Sequence, residues 1–333
     1  MTEPSEEPQT DILNASAGET LCVIVKQEAA GDPALAEASA WLLENLGCRV
    51  EILPTTSAKE ARSLAKERAA LPYRAIVAAG GDGMLHQVAN GFLACPNLQA
   101  RGLAAAPLGT ANDFASSLGL DPADLLAALR LAAEGTPRRI DAGRVADRRF
   151  VNMASGGFAA EITTETHPLF KSALGGFAYF LTGLNRIAEL RARPARVSGP
   201  GFAWEGNLYA LCVGNGRQAG GGFNVCPNAL LDDGLFDVTI APEVPLTELA
   251  TLAGEMRRLD REGDSSPLEK LVIARLPRLE VEASDGLQVN LDGEPVLSQH
   301  FVFEIEPQSL PFYLPLGAST ASLLQSRQET EKV

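Results

Sequence analysis

The chain has 333 residues, of which 46% are hydrophobic and 21% charged, and its formal net charge is −14. That length suits two domains better than one core, and so acidic a surface repels a phosphate backbone, which argues against nucleic acid as a partner. No basic flank followed by an apolar run opens the chain and no stretch is apolar for long enough to span a bilayer, so the expected address is the cytoplasm.

Residues 1–19 are acidic and polar, and read with residues 319–333 as disordered tails. Between them the first half alternates. Leu21–Val25 is a predicted strand, Pro33–Leu46 a helix with Leu35, Ala38, Leu42 and Leu46 on one face, Arg49–Leu53 a strand and Lys59–Ala70 a helix. Ala75–Ala79 is a third strand, followed at once by Gly80-Gly81-Asp82-Gly83 and a helical run from Met84 to Leu93; Gly102–Pro107 and Pro122–Ala133 continue the pattern. This alternation predicts an α/β fold with a mostly parallel sheet, whose ligands bind beyond the carboxyl ends of the strands.

After about Ile140 the texture changes. Arg149–Met153, Trp204–Val213, Phe236–Ile240, Lys270–Ile273, Leu279–Ala283, Gln288–Leu291 and His300–Ile305 are strand-like and separated by Gly, Pro, Asn and Asp clusters, the pattern of an antiparallel sandwich or barrel. One long helical stretch, Pro168–Leu190, interrupts it. The expected organisation is a Rossmann-like nucleotide-binding domain over 20–145 and a β-sandwich domain over 146–318, with the active site in the cleft between them. The five cysteines, Cys22, Cys48, Cys95, Cys212 and Cys226, lack metal-ligand spacing and read as buried small hydrophobes.

Four segments carry chemistry. Glycines at the Gly80–Gly83 strand-to-helix junction let backbone N–H groups converge on a phosphate, with a helix N-terminus behind them. Asp82 beside a polyphosphate implies a divalent cation, Mg²⁺, between them; the bland alternative is a tight turn with an Asp cap. Pro107–Phe114 offers Thr110, Asn112 and Asp113 in one turn, suited to a nucleotide or a hydroxyl substrate, or equally to capping the next helix. In Asn290–Pro295, Asp292 and Glu294 flank a glycine that can turn both carboxylates toward one point, as a base and a metal ligand; a plain Asp-Gly hairpin turn is the competing reading. Gly214–Phe223 and Cys226–Leu235 form an irregular glycine-rich loop, where Asp233 with the carbonyls of Leu230 and Leu235 could hold a hard cation, or where the chain merely turns.

Together these blocks resemble the bacterial lipid kinases of the diacylglycerol kinase catalytic-domain family, YegS-type, over about Leu21 to Leu316. The most specific stretches are PLGTANDFA, FVNMASGGFAAEITTET, GNGRQAGGG, CPNAL and LDGEP. The resemblance implies ATP over Gly81, Asp82, Gly83, Met84, Leu85, His86 and Gln87 and at Thr110, with Thr55, at the start of the second helix, as a further contact. It implies Glu294 as proton acceptor with Asp292 close by, and Mg²⁺, with Ca²⁺ as the alternative, at Leu230, Asp233 and Leu235. Three positions depart from the family pattern: Met84 stands where Thr is usual, His86 where Asn is common, and Lys26-Gln27-Glu28 where an Asn-containing turn follows the first strand.

The expected reaction is transfer of the ATP γ-phosphoryl group to a lipid head-group hydroxyl of the phosphatidylglycerol or diacylglycerol type. Asn112 and Asp113 would line the cleft. Phe170, Leu174, Phe177, Leu181, Leu184 and Ile187 with the following arginines would give the long helix a face for peripheral membrane contact, or for packing on the sandwich. A kinase of a soluble alcohol or dinucleotide, and a catalytically weak nucleotide-sensing protein, are the alternatives. Neither the lipid nor the oligomeric state is legible.

Overall fold

Strong local signals start and stop the helices of the first half. In the computed structural model, which describes residues 19–157, 192–262, 268–318 and 320, α1 (Pro33–Leu46) follows Asp32, whose carboxylate accepts from the Ala34 N–H, and ends on Gly47 at φ 64°. α2 (Ala58–Ala69) is capped by Ser57, while Glu60 reaches back to the Thr56 N–H at 2.7 Å. The predicted Pro168–Leu190 helix lies outside the described residues, as do residues 1–18 and, Thr320 apart, the C-terminal tail.

Strands β1 (Thr20–Lys26), β2 (Arg49–Thr55), β3 (Ala75–Gly80) and β4 (Leu103–Pro107) pair in parallel in the order β2-β1-β3-β4. Side chains alternate across this sheet, so each strand feeds two cores. Leu21, Val23, Val25, Ala75, Val77 and Ala79 pack with α1 and α5 (Leu125–Glu134). Cys22, Ile24, Ile76 and Ala78 pack with α2 and α3 (Asp82–Leu93). The α2–α3 contact is tight. A Cβ on Gly91 would sit 2.1 Å from the Arg62 carbonyl oxygen. Gly91→Ala is therefore expected to destabilise by about 1–3 kcal/mol, outweighing the roughly 1 kcal/mol that alanine gains in helix propensity; urea unfolding checks the sign.

The second half is a β-sandwich: β5 (Arg138–Val145), β6 (Arg148–Phe150), β7 (Met153–Gly157), β8 (Arg193–Gly199), β9 (Phe202–Gly214), β12 (Phe236–Pro242), β13 (Val272–Leu276), β14 (Arg278–Leu291) and β15 (Glu294–Phe312), with the small hairpin β10 (Gln218–Ala219) and β11 (Phe223–Asn224). Phe150 stacks on Phe236 with centroids 5.6 Å apart and meets Phe303 edge-on, at the centre of an apolar core shared with Val197, Val281 and Leu291. Helix α6 (Leu249–Glu262) covers another face through Leu252, Met256 and Leu259.

The four parallel strands and the sandwich strands are also joined by hydrogen bonds, which sequence patterning does not reveal. Hydrogen bonding runs through one 13-stranded sheet, in which β1 to β4 pair with one another in parallel and the other nine strands pair with one another antiparallel. The long strand β15 makes the join, pairing with β14, then with β5, and at Phe312 in parallel with Leu103 of β4. A strand shared by both halves fixes the walls of the cleft between them.

Candidate active site

The Gly80–Gly83 loop lies where the sequence puts it, between β3 and α3. Gly81 is the cap residue, and the helix begins at Asp82, two residues before the predicted start. Met84 and Leu85 both direct their N–H groups to the Gly81 carbonyl, leaving those of Asp82 and Gly83 without an intrahelical acceptor, as at any helix start. A Cβ on Gly83 would have no atom within 4 Å. The side chains of Met84 and Leu85, expected beside a nucleotide, are instead buried with Phe92 and Phe114. Met84, in the place of a threonine, fills core. Gln87 is half-buried.

Asp82 does not reach outward. Its two oxygens accept from the N–H groups of Asp113 and Phe114, each at 3.0 Å, which ties the loop to the start of α4 (Asp113–Ser117). Asn112, at φ 51°, closes its own turn by accepting from the Gly109 N–H and donating to the Gly109 carbonyl. Asp113 accepts from the N–H groups of Gly221 (2.9 Å) and Gly222 (2.7 Å). Gly220, Gly221 and Gly222 have φ of 70°, 92° and 96°, a backbone that glycine adopts without strain, and their hairpin loop is held by that one carboxylate. Asn112 and Asp113 thus build the cleft wall rather than presenting free polar groups, while Thr110 is exposed. Thr55 stands at the end of β2, not at the start of α2, and its hydroxyl donates to the Val25 carbonyl at 3.1 Å.

The Asn290–Pro295 turn meets this wall. Gly293 has φ 103°, and a Cβ there would lie 3.9 Å from the Cα and N of Gly83. Asp292, 7% exposed and at φ 47°, accepts from Val151 N (2.7 Å), Asn152 N (3.1 Å) and Met153 N (2.8 Å). These donors interrupt the predicted Arg149–Met153 strand and split it into β6 and β7. Glu294 is half-buried and, among the described residues, accepts no hydrogen bond. His86, 3% exposed, has Nδ1 3.6 Å from Asp292 Oδ2.

Burial pushes Asp82 up to about 6; the Phe114 N–H opposes this, the Asp113 carboxylate adds to it, and Asp292 adds less. Burial likewise raises Asp113, and raises Asp237 to about 6 against the opposing Arg275. Carboxyls with raised folded-state values bind protons more tightly folded than unfolded. Their stabilisation is therefore complete below the ordinary value of 3.8 and lost as pH rises through about 6. The metal-free protein should accordingly unfold at a higher urea concentration at about pH 5.5 than at about pH 7.5, and a midpoint that stays level or rises between those two pH values would contradict this account.

The expected cation site at Leu230, Asp233 and Leu235 takes a different form. Asp233 accepts from the Leu235 N–H at 3.0 Å and pairs with Arg275. The guanidinium already supplies the positive charge, and a cation would have to displace it. Among the described residues no three His, Cys, Asp or Glu side chains gather around a point. Sequence reasoning missed Asp141, wholly buried, which accepts from the Gly234 and Gln308 N–H groups at 2.7 Å each. A charged residue between Ile140 and Ala142, in a strand-like run, was the available signal.

The Asp82 and Gly83 N–H groups, free of intrahelical acceptors, and the Glu294 carboxylate thus lie on two turns that face each other at Gly83 and Gly293. Comparison with known proteins places the chain in a family. The family model of the diacylglycerol kinase catalytic domain matches residues 20–145, and that of the YegS C-terminal NAD kinase beta sandwich-like domain matches residues 152–314. A "Probable lipid kinase YegS-like" protein of Pseudomonas putida (strain KT2440) is 43% identical over 285 residues, covering 84% of this chain and 90% of that one. Its Pseudomonas aeruginosa (strain PAO1) namesake is 45% identical over 265 residues, covering 78% and 82%. The chain belongs to the YegS-like lipid kinase family, built on the diacylglycerol kinase catalytic domain. The crystal structure of a diacylglycerol kinase from Bacillus anthracis (strain Sterne) shares the fold, with a TM-score of 0.67 at 19% identity over 91% of this chain and all of that one.

Proposed function

We propose that this protein transfers the γ-phosphoryl group of ATP to a hydroxyl of a lipid head group, of the phosphatidylglycerol or diacylglycerol type, with Mg²⁺ as cofactor. The observation that carries the proposal is that Gly293, in the Asn290–Pro295 turn, faces Gly83 with room for little more than a methyl group between them, since a Cβ added at Gly293 would meet the Gly83 Cα and N at 3.9 Å; a carboxylate-bearing turn thus lies beside the glycine loop. In-line transfer to an alcohol needs phosphate donors and a proton acceptor within one cleft.

In this reading the N–H groups of Asp82 and Gly83 face the phosphates, with Thr110 at the cleft mouth. Glu294, whose carboxylate is not engaged by any described neighbour, accepts the hydroxyl proton. Asp292 is held by three backbone donors and acts by fixing the turn. Mg²⁺, when bound, neutralises phosphate charge. The carboxylates of Asp82, Asp113 and Asp292 already accept from backbone N–H groups and do not form a ready-made cation site; Asp82, next to the loop and in the field of Asp113 and Asp292, would attract the ion through its charge. Peripheral contact with a membrane surface would bring the lipid to the cleft.

The test is incubation with radiolabelled ATP, Mg²⁺ and mixed micelles of phosphatidylglycerol, diacylglycerol, ceramide or sphingosine, with a panel of soluble alcohols and dinucleotides in parallel. Labelled lipid that forms with the native protein and drops by about a hundredfold or more with Glu294→Ala supports the reading. Label confined to a soluble acceptor, or none with ATP bound, overturns it.

A further inference from the structure

Besides the apolar residues of its core face, helix α3 presents two polar side chains one turn apart, His86 and Asn90, to the second half of the chain: Asn90 bonds Arg149 and His86 faces Asp292. Asn90, 1% exposed, is fully engaged with Arg149: its Oδ1 accepts from the Arg149 N–H at 2.9 Å and its Nδ2 donates to the Arg149 carbonyl at 2.7 Å. His86 is as deeply buried, yet its Nδ1 has no hydrogen-bond partner. The nearest charged acceptor is Asp292 Oδ2, at 3.6 Å. A buried polar nitrogen left unpaired is costly, and a lone pair facing a carboxylate would be repelled, so the chemistry of the neighbour makes this nitrogen the N–H donor. A shift of about 0.6 Å brings the pair to ordinary hydrogen-bond length.

We infer that His86 is a positioning residue whose Nδ1–H closes on Asp292 Oδ2 in the working state, fixing the glycine-loop helix against the hairpin that carries Glu294. The inference rests on the proposed lipid kinase reading for its functional consequence, but not for its geometry. Asp292 already binds the N–H groups of Val151, Asn152 and Met153. A bond from His86 to the same carboxylate therefore sets the distance between phosphate donors and proton acceptor without touching either substrate. Its loss should lower kcat more than it raises KM for ATP, because oriented transfer is more sensitive to a displacement of this size than binding is.

The experiment compares His86→Leu, which keeps bulk without a donor, with His86→Asn, whose amide nitrogen is bonded to Cγ as Nδ1 is. His86→Leu is expected to lower kcat about tenfold to a hundredfold with KM for ATP changed less than about threefold, and His86→Asn to recover most of the loss. Hydrogen exchange provides a readout independent of activity: His86→Leu should speed exchange in the 149–153 and 290–294 segments, and His86→Asn should restore protection. Unchanged exchange in His86→Leu, or equal defects in the two variants, overturns the positioning role. Exchange behaving as expected in a protein that phosphorylates no lipid upholds it and overturns the lipid kinase reading alone.

Discussion

Replacing Asp292 with alanine is expected to destabilise the protein by about 3–5 kcal/mol, and to lower transfer in whatever still folds by about a hundredfold. The carboxylate is 7% exposed and accepts from three successive backbone N–H groups, Val151 to Met153. Removing it strands all three away from water, at about 1–3 kcal/mol for each donor left unpaired, less whatever a penetrating water recovers. Alanine at φ 47° adds strain that aspartate tolerates better. The damage reaches function because the same turn places Gly293 against Gly83 and carries Glu294. Asp292→Asn keeps one acceptor oxygen but turns an NH₂ toward backbone donors, so it should fall between native and alanine. Urea unfolding with a parallel kinase assay checks the series. A loss below about 1 kcal/mol in the alanine variant would show that the three N–H groups find other partners.

The parts of this site that are legible in the sequence are those set by local chemistry. Glycines between a strand and a helix identify the tight Gly80–Gly83 junction, since backbone conformation there is decided over four residues. The alternation of β1 to β4 with helices is likewise local, as are the caps at Asp32 and Ser57. What stays hidden depends on partners distant in sequence. Asp82 and Asp113 read as ligand-facing carboxylates because a residue type cannot say which backbone N–H groups will occupy it. Phe114 is 32 residues from Asp82, and Gly222 is 109 from Asp113. The same blindness hid Arg275 as the partner of Asp233, 42 residues away. β14 shows the reverse error. Its irregularity between Glu282 and Leu287, with Gly286 at φ 78°, reads as a break between two strands, whereas the structure carries one strand through with a register shift.

Gly109→Ala and Gly83→Ala are expected to fail in different ways, and the contrast separates a glycine needed by the fold from one needed by a ligand. A Cβ at Gly109 would lie 2.4 Å from the Gly81 Cα and 2.7 Å from both the Gly81 nitrogen and the Asn112 Oδ1. Two loops meet there backbone to backbone, so nothing flexible can give way, and relief requires the loops to separate. Gly109→Ala should therefore cost about 1–3 kcal/mol in stability, and the loss of loop geometry should lower kinase activity by about a hundredfold. Gly83 has no atom within 4 Å of an added Cβ and lies in the first turn of α3, where alanine is a better helix former than glycine by about 1 kcal/mol. Gly83→Ala should leave stability unchanged or slightly raised. If the space above Gly83 receives phosphate, the new methyl group nevertheless occupies it, and KM for ATP should rise by about tenfold or more. Thermal and urea unfolding with ATP titration read both variants. Normal ATP affinity in Gly83→Ala would mean that the nucleotide does not approach this face of the loop, and would move the phosphate site toward the exposed Thr110 turn.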